Sequence, residues 1–174
     1  MWGYFELNYR RRLPAPLAFA TREWTGLKFS DIERSDWEGL KPYLDTCLLP
    51  VTGLSGFEQP WEATQELEYL RDVMDCVEGP YKGRIVTYPA FHYAEGPSAA
   101  AAINSVCQKI KGAGFRYVIV ISGHPSVGAL HFPDADLLLC PESADGQVMD
   151  GEQFKLRTSR VIRAMWQPET AEQA

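Results

Sequence analysis

The chain has 174 residues, of which 45% are hydrophobic, and it carries a formal net charge of -6. This length is typical of one globular domain, and the apolar fraction suffices for a packed core. Its 17 basic residues are outnumbered by 23 acidic ones, and the compact basic run is the stretch Arg10, Arg11, Arg12. The composition therefore argues against nucleic-acid binding, which relies on clustered positive charge.

Apolar runs and cysteines bear on membrane contact and on the cellular compartment. The longest apolar runs, 118–121, 137–140 and 99–103, are far shorter than the roughly 20 residues of a membrane helix, so we expect no membrane insertion. The four cysteines form no C-x-x-C pair. We expect them to be buried, reduced thiols, which fits a cytoplasmic protein.

The N-terminal stretch 1–27 shows no sustained helical or strand period. Pro14 and Pro16 interrupt its apolar part. We predict an extension over 1–27 that is poorly ordered or laid over the surface, a single domain over 28–168 and a short tail over 169–174.

The first predicted elements are a short helix, a buried strand and a long helix. Ser35 and Glu38 have the spacing of a capping box, which predicts a helix from Asp36. The stretch 45–51 is apolar on both faces, as in a buried parallel strand. Apolar residues then recur every three or four positions from 63 to 77, which predicts a helix that starts near Pro60 and ends at Gly79.

The second half of the chain continues the alternation of strands and helices. We predict strands at 84–88, 116–122 and 136–140, a helix that starts near Pro97 and ends at Gly112 or Gly114, and a last helix at about 151–166. Strands separated by helices of this length indicate right-handed crossovers. The expected fold is an α/β three-layer sandwich with a small, mostly parallel four-stranded sheet.

Polar side chains follow three of the predicted strands. In open α/β sheets, ligands bind outside the carboxyl ends of the strands. The candidate residues at that edge are Glu58 after the first strand, His92 and Glu95 after the second, and Ser122, His124 and Ser126 after the third. Loops at strand ends are commonly polar, so this pattern alone identifies no chemistry.

The residue types at this edge are compatible with two kinds of site, a metal site and a serine–histidine catalytic site. Glu58, His92 and His124 have the ligand types of a zinc or manganese site, but they form no compact motif. Ser122 or Ser126 beside His124 resembles half of a catalytic triad, without the G-x-S-x-G elbow. A lone histidine in such a loop is more often a hydrogen-bonding group, so catalytic residues stay unassigned.

Three tryptophans lie near the ends of predicted helices. Trp37, Trp61 and Trp166 are expected to seal the edges of the core, as large aromatic side chains commonly do there. The alternative is that they form a surface for a protein partner.

The span from Leu27 to Trp166 resembles the YpiF family of Gram-positive bacteria, a domain of unknown function. The stretches that carry the resemblance are "LKFSDIERSDWEGLKPYLDTCLLPV", "KGRIVTYPAFHYAE" and "GFRYVIVISGH". The resemblance implies a small cytoplasmic bacterial protein without an assigned activity. It also implies a link to respiratory-complex assembly, because such genes often lie near those of a menaquinol–cytochrome c reductase.

The YpiF resemblance also bears on the start of the chain. Members of that family tend to begin with Met, a basic residue and an aromatic one, and Leu27, Lys28 and Phe29 correspond to that triplet. It implies that translation starts at Leu27 and that residues 1–26 come from a wrongly assigned start.

A looser resemblance links the chain to creatininase-like metal amidohydrolases, through "PVTGLSGFEQP" and "GFRYVIVISGHPS". It implies that Glu58 matches a carboxylate ligand and His124 a later histidine ligand. Pro60 stands where that pattern has its first histidine, and Ser126 where some members have an acidic ligand.

The leading interpretation is therefore a binding or accessory module for an unidentified protein partner or small molecule. The alternative is a divergent metal-dependent amidohydrolase that uses Glu58, His92 and His124.

Overall fold

A computed structural model describes residues 27–93, 96–142 and 148–167. It contains one parallel sheet of five strands in the order β1-β3-β2-β4-β5. The strands are β1 (Leu27–Lys28), β2 (Thr46–Pro50), β3 (Ile85–Thr87), β4 (Tyr117–Ile121) and β5 (Leu137–Leu139). The α/β class is confirmed, whereas the predicted count of four strands is wrong. The sequence pattern misses β1 because two residues are too few to show a period.

Helices cover both faces of this sheet. They are α1 (Arg34–Leu40), α2 (Pro60–Tyr81), α3 (Gly96–Gly112), α4 (Pro125–Gly128) and α5 (Gly151–Trp166), with a 3-10 turn at Phe29–Asp31. The predicted bounds of α5 are confirmed, and those of α2 and α3 are correct within about two residues. Within the described residues, no helix is long and apolar enough to cross a membrane. The predicted domain limits fall in or beside 1–26 and 168–174, outside the described residues, and stay predictions.

Two helix ends differ from their predictions. Glu33, rather than Ser35, is the N-cap of α1, and the Ser35 hydroxyl donates to the Asp36 carboxylate at 3.2 Å. Helix α2 continues through Gly79 and Pro80 to Tyr81. In the last turn of a helix, the missing N–H of proline removes one hydrogen bond only, so Pro80 does not stop the helix earlier.

The core consists of one apolar cluster on each face of the sheet. Successive residues of β2 alternate between them: Cys47 and Leu49 belong to one cluster and Leu48 to the other. Helix α3 covers the first face through Ile103, Cys107 and Ile110. Helices α2 and α5 cover the second face, with Val73 and Val77 from α2 and Phe154 and Ile162 from α5.

The cysteines are free thiols: Cys47, Cys107 and Cys140 are buried and Cys76 is half-buried. Burial raises the pKa of Cys107 to about 11 and that of Cys47 further still. The prediction of buried, unpaired cysteines is thus confirmed for three of the four.

Two of the three tryptophans near helix ends pack against the core. The ring of Trp37 lies 5.8 Å from that of Phe115, and the ring of Trp166 lies 5.1 Å from that of Tyr81. Trp61 is 60% exposed, so the core-sealing prediction is wrong for this residue.

The amino edge of the sheet carries a polar network whose role is structural. Arg84 donates two hydrogen bonds of 2.8 Å to Asp45 and lies over the Trp166 ring at 4.3 Å. The indole N–H of Trp166 donates to Thr46 Oγ1 at 3.0 Å. Burial opposes ionisation of Asp45, but the bonds from Arg84 and Thr46 outweigh it and lower the pKa. This network fixes the end of α5 on the sheet.

Candidate functional site

The loops after β2 and β4 pack directly against each other at the carboxyl edge of the sheet. Gly53 in the first loop has φ +72°, and a Cβ placed there would lie 2.6 Å from Cβ of His124 in the second. A side chain at Gly53 would therefore be strained by its backbone and would clash with the histidine. Glycine at this position lets His124 lie against the backbone of the neighbouring loop.

Glu58 stabilises the loop that follows β2. Its Oε1 accepts hydrogen bonds from the backbone N–H and the hydroxyl of Ser55, both at 2.7 Å, and its Oε2 accepts one from the N–H of Gly56 at 2.8 Å. These bonds, first those from Ser55, lower the pKa of Glu58 from 4.5 to about 2. The carboxylate is thus ionised at neutral pH and its two oxygens already have donors.

The low pKa of Glu58 gives a pH-dependent prediction. Its charged form is favoured in the folded chain, so its contribution to stability is present above about pH 4.5 and is lost as the pH falls towards 2. Compared with Glu58→Gln, the native chain should have an excess free energy of unfolding that is constant near neutral pH and shrinks below pH 4.5. Urea unfolding of both at pH 7, 4 and 3 measures this.

Ser55→Ala provides the control for that experiment, because it removes one of the hydrogen-bond donors. The comparison is between Ser55→Ala and the double variant Ser55→Ala, Glu58→Gln. At neutral pH, Glu58→Gln should change the free energy of unfolding less in this pair than it does in the native chain. A difference that does not change between pH 7 and pH 3 contradicts the assigned role of Glu58.

His124 caps the short helix α4. Its Nδ1 accepts a hydrogen bond from the Ser126 backbone N–H at 3.3 Å and lies 2.6 Å from the Ser126 hydroxyl oxygen, within hydrogen-bond distance. In the neutral ring the proton therefore resides on Nε2. The buried Ser122 hydroxyl accepts a bond from the His124 backbone N–H at 3.0 Å. Both predicted serines thus orient His124.

His92 and Glu95 are the remaining predicted site residues. His92 follows Phe91, which bridges to Val51 beyond the end of β2, and it is absent from the lining of the cleft formed by Glu58 and His124. Glu95 lies outside the described residues. Within 27–93, 96–142 and 148–167, no group of three or more His, Cys, Asp or Glu side chains is arranged to hold a metal ion.

Glu58 and His124 line an open cleft of about 500 Å³ between the β2–α2 loop and the first turns of α2. Two exposed aromatic side chains lie in it, Phe57 at 90% and Trp61 at 60% exposure. We call this feature the acidic cleft, because Glu58, Glu62 and Glu66 line it and no Lys or Arg does so among the described residues.

The glutamate side chains of the acidic cleft differ in their hydrogen-bond partners. Glu62 Oε2 accepts a hydrogen bond from the Gln59 N–H at 2.8 Å, as part of the cap of α2. Glu66 makes no hydrogen bond or ion pair with another described residue. Glu62 and Glu66 lie one helical turn apart, where like charges destabilise a helix by a few tenths of a kcal/mol. A bound cation would relieve this repulsion.

Sequence reasoning missed Trp61, Glu62 and Glu66 as site residues. It assigned Trp61 to the core and named neither glutamate as a candidate. The available signal was Pro60, which starts α2 directly after the β2 loop and so places the first turn of the helix at the ligand edge.

Comparison with known families identifies the central part of the chain. Residues 35–127, more than half of the chain, match a family described as a protein of unknown function (DUF2487). The chain belongs to the DUF2487 family. No curated protein and no solved structure matches it. The DUF2487 match runs from α1 to α4 and contains the acidic cleft.

Proposed function

We propose that the chain is a binding module whose acidic cleft takes a cationic side chain, Arg or Lys, from a protein partner. The observation that supports this most is the combination of exposed Trp61 with the glutamate pair Glu62 and Glu66 in one cleft at the ligand edge of the sheet. An aromatic face and nearby carboxylates are the groups that bind a guanidinium or ammonium ion.

The free energies expected for these contacts are those of weak, reversible binding. A cation over an exposed indole contributes about 0.5–1 kcal/mol, and an exposed ion pair contributes about 0.2–1 kcal/mol. The bonds of Glu58 to Ser55 and Gly56 fix the loop before the ligand arrives, which reduces the entropy lost on binding. Several such contacts are needed for micromolar affinity, so the ligand is a peptide segment rather than a single ion.

The hydrogen-bond partners of Glu58 and His124 support a binding role over a catalytic one. Glu58 accepts bonds within its own loop, and His124 Nδ1 accepts bonds from Ser126. A general base needs a free acceptor within hydrogen-bond reach of the proton that it removes. In this arrangement the neutral His124 presents a donor, Nε2–H, and its acceptor is already in use.

A titration with short basic peptides tests the proposal. We expect hexa-arginine to bind with saturation, observed as a change in tryptophan fluorescence, and hexa-glutamate to give no change. Trp61→Ala should weaken binding about fivefold and Glu66→Gln about threefold. Binding should also weaken as salt increases, because the charges are exposed.

Two variants outside the acidic cleft serve as matched controls. Glu68→Gln removes the same charge from the same helix, and Tyr43→Ala removes an aromatic side chain that is 71% exposed. Both should leave the affinity for hexa-arginine unchanged within about twofold. Equal weakening by Glu66→Gln and Glu68→Gln would indicate attraction by net charge alone and would contradict a defined site.

A metal-dependent amidohydrolase is the second candidate function, because Glu58 and His124 do line one cleft. Elemental analysis of protein purified without chelator or affinity tag tests it. Stoichiometric zinc or manganese that is lost in His124→Ala would support it, whereas a metal-free protein whose folding is indifferent to chelator would reject it. The respiratory-assembly role implied by the YpiF resemblance would supply one class of partner for the first function.

A further inference from the structure

A second cavity lies on the face of the sheet that α3 covers. It has a volume of about 360 Å³, which is within the usual range of small-molecule sites. We call it the aromatic groove, because four aromatic side chains line it: Phe29, Trp37, Tyr88 and Phe115. It shares no lining residue with the acidic cleft, so it is a separate candidate site.

The four rings of the aromatic groove form one continuous row. The ring centroids of Phe29 and Tyr88 are 6.4 Å apart, those of Tyr88 and Phe115 are 5.3 Å apart, and those of Phe115 and Trp37 are 5.8 Å apart. Phe29 and Trp37 stand at the ends of the row, and each has one ring partner among the described residues. Contacts between aromatic rings contribute free energy beyond the burial of apolar area. The row therefore favours a ligand with an aromatic ring over an aliphatic one.

Two opposite charges line the same groove. They belong to Glu33 and Arg34, and both side chains are exposed. Neither makes a hydrogen bond or ion pair with another described residue. A carboxylate and a guanidinium are the groups that bind an ammonium and a carboxylate through charge-assisted hydrogen bonds. An α-amino acid carries these two charges on one carbon atom, so it complements the pair.

We propose that the aromatic groove binds a free aromatic amino acid. The ring of the ligand contacts Phe29 and Trp37, its carboxylate binds Arg34 and its ammonium binds Glu33. A residue at the end of a peptide would use one of these charges only, because its other charged group is an amide. This proposal is independent of the function proposed for the acidic cleft.

NMR titration of the isotope-labelled full chain with L-phenylalanine tests the proposal. We expect saturable shift changes at the indole N–H of Trp37 and the backbone amides of 29–34, with a Kd of about 1 mM or below. Three analogues each lack one feature of the ligand: L-leucine the ring, phenylalaninamide the carboxylate, and N-acetyl-L-phenylalanine the ammonium. Each should bind at least about threefold more weakly than L-phenylalanine.

Charge variants separate recognition of the ligand from a structural effect. Arg34→Gln should weaken L-phenylalanine about threefold and leave phenylalaninamide unchanged, because that analogue has no carboxylate for Arg34. Glu33→Gln should do the same for L-phenylalanine and leave N-acetyl-L-phenylalanine unchanged. A variant that only disturbed the fold would weaken all of these probes together. Arg160→Gln, which removes an exposed charge from α5 outside the groove, should change none of the affinities.

Three results would overturn the proposal. The first is the absence of saturable shift changes at Trp37, and the second is equal affinity for all four probes. The third is phenylalaninamide or N-acetyl-L-phenylalanine binding as tightly as L-phenylalanine, which would identify the end of a peptide as the ligand. Shifts of the Trp37 indole signal that follow protein concentration without any ligand would assign the groove to a second copy of the chain and would overturn it as well.

Discussion

Phe154→Ala should lower the free energy of unfolding by about 3–5 kcal/mol, the usual cost of removing a buried aromatic ring. Phe154 is 2% exposed and packs in the cluster that α2 and α5 form on the second face of the sheet. The smaller side chain leaves a cavity that neighbouring residues fill only in part. Urea unfolding followed by circular dichroism measures the loss as a decrease in the midpoint at constant slope.

Leu156 provides a matched control two residues away on the same helix. It is 72% exposed, so Leu156→Ala should change the free energy of unfolding by less than about 0.5 kcal/mol. Equal losses for Phe154→Ala and Leu156→Ala would show that α5 does not pack on the sheet through the face that carries Phe154 and Ile162.

The prediction for Phe154 concerns a part of the chain beyond the family match, which ends at residue 127. Strand β5 and helix α5 follow that point, yet Leu139 and Ile162 complete the same apolar cluster as Val73 and Ile119. We therefore regard β5 and α5 as part of one folding unit with the matched region.

Gly53→Ala should lower the free energy of unfolding by about 3 kcal/mol and displace His124. Roughly 1–2 kcal/mol comes from a left-handed backbone conformation with a side chain, and the rest from the clash with His124. The Cβ would lie 2.6 Å from Cβ and 2.7 Å from Cγ of that histidine. Thermal unfolding measures the loss, and the NMR signals of the imidazole report the displacement.

Gly56→Ala separates the two contributions to that loss. Gly56 also has a positive φ, +98°, but the Cβ of an alanine there would have Cδ1 of Tyr93 as its nearest heavy atom, 3.9 Å away. We expect Gly56→Ala to show the backbone strain alone and to leave the imidazole signals of His124 in place. If Gly56→Ala disturbed His124 as strongly as Gly53→Ala does, close packing between the two loops would be refuted.

The sequence was sufficient to predict the alternation of helices and strands, because apolar residues that recur at a regular spacing can be recognised in a single sequence. The residues 151–166 of α5 and the buried stretch of β2 are examples. Strand β1 was missed because its two residues gain their structure from pairing with Val86 and Thr87, a long-range contact that leaves no local pattern.

Four of the candidate residues were predicted at their observed place in the fold, whereas their hydrogen bonds were not. Glu58, Ser122, His124 and Ser126 do lie at the carboxyl edge of the sheet, as strand ends in a parallel sheet require. Their hydrogen bonds depend on loop conformations, such as the positive φ of Gly53, that residue types alone do not determine. The exposure of Trp61 likewise depends on the way α2 meets the β2–α2 loop, which residue types alone do not determine.

The most direct test of the acidic cleft as a binding site is NMR mapping of the isotope-labelled chain during titration with hexa-arginine. We expect the largest shift changes to fall on the indole N–H of Trp61, the backbone of Ser55 and Glu66, and the imidazole of His124, and to saturate together. Shift changes spread over acidic residues outside the cleft, such as Glu68 and Asp72, with none concentrated at Trp61, would contradict binding at this site.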